Sequence, residues 1–123
     1  CQVPLLDMLR FHKLLAGASW MAEYGDPDNP AEWAWISKYS PYQNLSATRS
    51  YPRVLFTTST RDDRVHPGHA RKMVARLREL GKPVLYYENT EGGHGGAADN
   101  EQRAHLLALE FAYLWAQLGD AKR

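Results

Sequence analysis

Two segments of this chain hold side chains suited to nucleophilic catalysis. The first, Thr60-Arg61-Asp62-Asp63-Arg64-Val65-His66-Pro67, offers adjacent carboxylates. The second, Asn89-Thr90-Glu91-Gly92-Gly93-His94-Gly95-Gly96, offers one imidazole among glycines. A carboxylate that holds an imidazole in one tautomer makes it a general base for a hydroxyl nucleophile. Either Asp62 or Asp63 can supply that carboxylate. The glycines beside His94 let the backbone turn sharply and leave the ring uncovered.

The nucleophile itself is not found. No Gly-x-Ser-x-Gly sequence occurs in the chain. Ser19, in Gly17-Ala18-Ser19-Trp20, lacks the second glycine. It also follows a stretch that reads as helix, whereas a nucleophilic serine sits on a strained strand-to-helix turn.

Each of these residues also has a plainer structural reading. Asp62 or Asp63 can cap the helix that starts near Pro67. Arg64 by itself is a surface ion-pair residue of little energetic weight. His66 and His69 beside the carboxylates suggest a metal, but they straddle a helix start without ligand spacing. His12 and His105 lie in helical stretches and read as surface or packing residues. Trp33, Trp35 and Trp115 read as packing, and Trp20 has a core reading as well. Gly92 to Gly96 is no phosphate loop, because the lysine and hydroxyl residue of that motif are missing.

The elements that must position these side chains are legible in the apolar pattern. Arg53 to Ser59 carries the run Val54-Leu55-Phe56 and then threonines, as in a strand buried on both faces. Pro67 to Leu80 repeats Ala70, Met73, Val74, Leu77 and Leu80 at helical spacing, and Gly81 stops it. Pro83 to Glu88 is a second strand. A final helix runs from about Asp99 to Leu118, with Ala104, Leu107, Ala108, Phe111, Leu114, Trp115 and Leu118 as its apolar stripe and Gly119 at its end. Upstream, Val3 to Trp20 has a rough helical spacing, Gly25 to Pro30 is a loop, and Ala31 to Lys38 is a short helix broken at Ser40-Pro41. Strand, loop, helix, strand, loop, helix predicts right-handed crossovers and a parallel sheet. Both chemical segments then follow strand carboxyl ends, where open α/β sheets place function. Adjacent strands about 5 Å apart put an Asp62 or Asp63 carboxylate within reach of His94.

Composition narrows the class. The chain has 123 residues, 44% hydrophobic and 24% charged, with a formal net charge of +1. That is one folded domain or part of one, with no field to attract nucleic acid or an anionic membrane. Ala121-Lys122-Arg123 is only a short basic tail. The lone cysteine, Cys1, forms no internal disulfide, and no segment reaches the ~20 apolar residues that span a bilayer. A cytoplasmic location is expected. A periplasmic or secreted one stays open, because the chain begins at Cys1 and any leader would lie upstream.

An acid loop before a histidine loop is the tail of the Ser, Asp, His order of α/β-hydrolases. Asp62-Asp63-Arg64-Val65 with Pro67, then Gly92-Gly93-His94-Gly95 about thirty residues on, resembles the prolyl oligopeptidase family. Leu6-Asp7-Met8-Leu9-Arg10-Phe11-His12-Lys13, Trp20, Tyr24-Gly25 and Lys38-Tyr39-Ser40-Pro41 resemble the segment that follows the nucleophile in that family. The resemblance covers about Asp7 to Trp115. It implies an α/β-hydrolase fold, a parallel sheet flanked by helices in three layers, of which residues 1–123 are an incomplete C-terminal part. It implies that Asp62 is the triad acid and His94 the general base. It also implies that Arg64 binds a substrate carbonyl, Trp20 stacks on a proline ring, and Tyr24 and Val65 line that pocket. The implied substrate is a short peptide cut after proline, with no metal or organic cofactor. A related acylaminoacyl- or dipeptidyl-peptidase, an esterase, and a non-catalytic interaction module on the same scaffold are the alternatives. The serine, the oxyanion donors and a β-propeller are expected upstream. Residues 1–123 alone are expected to be inactive, and, because one side of their sheet is unpartnered, to be a proteolytic or truncated product or to pair with that missing part or with a second copy.

Overall fold

The structure is a computed structural model that describes residues 1–119, so the tail Ala121 to Arg123 lies outside the described residues. Strand β1 (Val54–Ser59) and strand β2 (Val84–Asn89) pair in parallel, in register from Val54 opposite Val84 to Ser59 opposite Asn89. Both start one residue later than the apolar runs suggest, and β2 extends one further. On the other side of β1, the Val3 amide donates to the Thr57 carbonyl at 2.8 Å and the Thr57 amide to the Cys1 carbonyl at 3.0 Å. Gln2 bridges Thr57 in parallel. β1 is therefore central, and its residues Leu55 to Ser59 are buried throughout.

The short helices α1 (Met21–Tyr24) and α2 (Pro30–Tyr39) precede the sheet, α3 (Gly68–Glu79) joins the strands, and α4 (Asn100–Leu118) follows β2. Asn29 caps α2 by accepting the Ala31 amide at 3.0 Å, with Pro30 in the first turn. Asp99 caps α4 by accepting the Gln102 amide at 2.8 Å. After α3, Gly81 takes a φ of 67°, the left-handed conformation in which glycine ends helices.

Successive strand residues point to opposite faces. Phe56 packs with Leu6 and with Met73, Val74 and Leu77 of α3. On the opposite face, Leu55 and Thr57 line one cavity with Glu110, Tyr113 and Leu114 of α4, and Thr57 Oγ1 donates to Glu110 Oε1 at 3.5 Å. The sheet thus lies between helices.

Two sequence expectations change. Val3 to Trp20 is not one helix. It contains 3-10 turns at Phe11–Lys13 and Leu15–Trp20. Its apolar residues serve two cores, Leu6 under α3 and Met8 with Phe11 against Ile36 of α2, so no single helical stripe can fit them. The stripe predicted for α4 is the second change. Leu106 is the buried residue of α4, whereas Leu107, Phe111, Leu114, Trp115 and Leu118 are exposed. The helix turns its Leu106 face to this sheet and leaves its larger apolar face uncovered.

Candidate active site at the strand ends

The two chemical loops start side by side because β1 and β2 end in register. The Thr60 amide donates to the Asn89 carbonyl at 2.8 Å, and the Asp62 amide to the Ser59 carbonyl at 3.3 Å. These bonds turn the chain back at the sheet edge and direct Asp62 inward. Its side chain is fully buried. Oδ1 accepts the amides of Arg64 and Val65, both at 2.9 Å.

His94 meets this carboxylate. Its Nδ1 lies 2.9 Å from Asp62 Oδ2 and 3.1 Å from Oδ1. An ionised carboxylate only accepts, so the proton is assigned to Nδ1 and Nε2 keeps its lone pair. The ring remains about one third exposed, at 31%. It borders a cleft that Val3, Thr57, Gly96, Leu106 and Glu110 also line. A buried acid, an oriented imidazole and an open Nε2 can take a proton from a hydroxyl within hydrogen-bond reach of that nitrogen.

The other predicted residues divide into two groups. Arg64 and Val65 join the Asp62–His94 cluster through their amides, and the Arg64 side chain is exposed. Trp20 and Tyr24 stand on a separate apolar cluster. Trp20 is half-buried against the Met8, Phe11 and Ile36 core. Tyr24 is exposed and meets the Phe11 ring edge-on at 5.9 Å. One backbone bond, Ala16 amide to Arg64 carbonyl at 3.4 Å, links the two groups.

Asp63 is exposed and does not cap α3. Pro67 holds the cap position, and the neighbouring His66 Nδ1 accepts the Gly68 amide at 2.9 Å. His69 is buried, and its Nδ1 accepts the Asp7 amide at 3.1 Å. Both rings thus spend a nitrogen lone pair on the backbone. His12 pairs with Asp28 at 3.0 Å, and Asp26 stands close by. Lys13 already supplies a cation to Asp28 at 2.9 Å. His105 packs on Tyr87 at 5.7 Å.

Sequence reasoning missed the groups that hold these loops. Glu88 accepts from Thr60 Oγ1 at 2.6 Å and Arg71 Nε at 3.0 Å, tying β2 and α3 to the acid loop. The Arg71 guanidinium holds the Glu88 carboxyl down at about 2, outweighing the effect of burial. Asp7, also buried, is ion-paired to Lys72 and accepts from Gln43 Nε2 at 2.7 Å. Burial pushes its carboxyl up, but Lys72 and Gln43 together leave it below its usual value. Ser40, read in the sequence as a helix break within a family-like segment, accepts the Met8 amide at 3.1 Å. These partners lie far apart in the chain, so no local pattern announces them.

Comparison with known proteins decides the family. The model of the prolyl oligopeptidase family matches residues 1–121. The chain belongs to the prolyl oligopeptidase family. The family's uncharacterized peptidase y4nA from Sinorhizobium fredii is 53% identical over 121 residues, which is 98% of this chain and 17% of that protein. The prolyl endopeptidase of Dictyostelium discoideum is 38% identical over 117 residues, 90% of this chain and 15% of the relative. Among solved structures, a post-proline cleaving enzyme from Rickettsia typhi superposes with a TM-score of 0.90 at 39% identity, covering 94% of this chain and 17% of that one. The chain therefore spans about a sixth of the length of these relatives. Its parallel sheet and flanking helices are part of an α/β-hydrolase fold. Among the described residues, no helix is long and apolar enough to cross a membrane.

Proposed function

We propose that this chain is the C-terminal part of the catalytic domain of a serine peptidase that cuts short peptides after proline. The observation that carries this reading is the 2.9 Å contact between His94 Nδ1 and the buried Asp62 carboxylate, in a chain of the prolyl oligopeptidase family. The nucleophilic serine belongs to an upstream part of the protein. His94 Nε2 takes the serine proton as the hydroxyl attacks the peptide carbonyl, and returns it to the leaving amine. Water then attacks the acyl-serine by the same proton route in reverse. Asp62 holds the ring and stabilises the imidazolium that forms in each step.

The exposed Arg64 guanidinium serves as donor to a substrate carbonyl beside the pair. Trp20 offers a flat apolar face to the proline ring, and Tyr24 and Val65 complete that pocket. Proline suits such a face because its fixed ring loses little freedom on binding. The reaction uses side chains alone.

The apolar face of α4 and the free edge beside Cys1 to Val3 are the surfaces that the upstream part covers. The test is reaction of the full-length protein with a fluorophosphonate probe. One upstream serine becomes labelled, and His94→Ala abolishes the labelling. An unlabelled wild-type protein contradicts the peptidase reading and favours an interaction module.

A further inference from the structure

His94 sits on a ten-residue connection, residues 90–99, between β2 and α4. Such a loop, rich in glycine, has no intrinsic reason to hold one shape. What closes it is a pair of side chains at its two ends. At the entrance, buried Asn89 accepts the amides of Glu91 at 2.8 Å and Gly92 at 2.7 Å. At the exit, Gln102 Oε1 accepts the Ala98 amide at 3.0 Å. The two amides then meet: Asn89 Nδ2 donates to Gln102 Oε1 at 2.8 Å. Gln102 Nε2 crosses back to Glu91 Oε2 at 2.7 Å.

The circuit pinches the loop at its neck. A Cβ on Gly92 would stand 2.7 Å from the Ala97 amide nitrogen, so only glycine lets the two strands of the loop come this close. His94 lies inside the closed segment. With the neck shut, its Nδ1 lies 2.9 Å from Asp62 Oδ2, and Arg103 Nη1 adds a further tie by donating to the Gly95 carbonyl at 3.2 Å.

We propose that Asn89 and Gln102 are positioning residues that set the His94 imidazole against Asp62. The catalytic consequence rests on the peptidase reading above. Neither side chain has a hydrogen bond to Asp62 or His94 among the described residues; they act through the loop backbone. A displacement of about 1 Å in a catalytic group can cost about 10²-fold in rate.

The test uses the full-length protein. Gln102→Ala and Asn89→Ala each lower kcat about 10²-fold with KM changed less than about twofold, because the proline pocket is untouched. Gln102→Glu sets two carboxylates against each other at Glu91 and also lowers kcat. Adding Glu91→Gln to Gln102→Glu restores the donor between them with its direction reversed, and recovers most of the rate. Nitrogen-15 spectra of the His94 ring report the same order without catalysis: the Nδ1-protonated form dominates in wild type and in the double variant, and mixes with the other tautomer in Gln102→Ala. The inference is overturned if the single variants lower only the melting temperature and leave kcat and the ring spectrum unchanged. It is also overturned if the exchanged pair is no better than Gln102→Glu alone. Should wild type fail to hydrolyse peptides, the ring spectra still decide the positioning role, and only the peptidase reading falls.

Discussion

Asp62 serves two sets of partners at once: Oδ1 accepts the Arg64 and Val65 amides at 2.9 Å, and His94 Nδ1 lies 2.9 Å from Oδ2 and 3.1 Å from Oδ1. One buried carboxylate thereby fixes the backbone at Arg64 and Val65 and the orientation of the proposed base. The two tasks separate by mutation. In the full-length protein, Asp62→Asn keeps an oxygen for the amides but loses the ionised acceptor, and kcat falls about 10⁴-fold with little change in fold. Asp62→Ala also removes the acceptor of the part-buried Arg64 and Val65 amides and costs about 1 kcal/mol of stability for each. Melting curves beside steady-state rates distinguish the two variants.

Arg64 carries a prediction for binding. Its side chain is exposed, so Arg64→Gln does not disturb the core. Losing a charged hydrogen bond to the substrate carbonyl, worth about 1.5–3 kcal/mol, lowers kcat/KM by about 10-fold or more. The melting temperature stays within about 1 °C of wild type.

His69 makes the fold sensitive to acid. Burial lowers its pKa from 6.5 to about 4, with Asp7 opposing and His66 and Lys72 adding to the shift. Protonating Nδ1 also breaks its bond to the Asp7 amide. Between pH 6.5 and about 4 the unfolded chain binds a proton that the folded chain excludes, so stability falls as pH drops through that window. The loss reaches about 2–3 kcal/mol at its lower end. Asp7, with its pKa held down, adds acid sensitivity only below that window. His69→Gln keeps an acceptor for the Asp7 amide without titrating. Melting temperatures across this range therefore decline less steeply in the variant than in wild type.

How much of this was legible in the sequence depends on the range of the interaction. β1, α3, β2 and α4 declare themselves through runs of neighbours, such as Val54-Leu55-Phe56 or Met73, Val74 and Leu77, and their ends fall within a residue or so. That an acid of the first loop meets His94 was also legible, since consecutive parallel strands bring their following loops together; the choice of Asp62 over Asp63 rested on the family resemblance. Val3 to Trp20 was misread as one rough helix because its apolar residues answer to two cores that only tertiary packing creates. The network of Asp7, Lys72, Gln43 and His69 was invisible for the same reason: its bonds span from 36 to 65 positions. Asn89 reads in the sequence only as the first residue of the histidine loop. Its partner Gln102 sits thirteen positions on, in a different element. The α4 stripe was correctly seen as apolar, yet it faces away from this sheet.

That face yields a prediction about assembly. Trp115 is 81% exposed and Phe111 66%. In the full-length protein the upstream part covers them, and Trp115→Ala costs about 3 kcal/mol in stability. Residues 1–123 purified alone associate, and Trp115→Glu reduces that association in sedimentation experiments. An unchanged stability in the full-length variant would mean that the face lies open there too.

The catalytic role of His94 is tested most directly by the rate at which the full-length protein hydrolyses a chromogenic peptide with a glycine–proline linkage, measured for wild type and His94→Ala. Hydrolysis after proline that falls by about 10⁴-fold or more on loss of the imidazole is the predicted result. A His94→Ala protein that cuts the same peptide at the wild-type rate would contradict it.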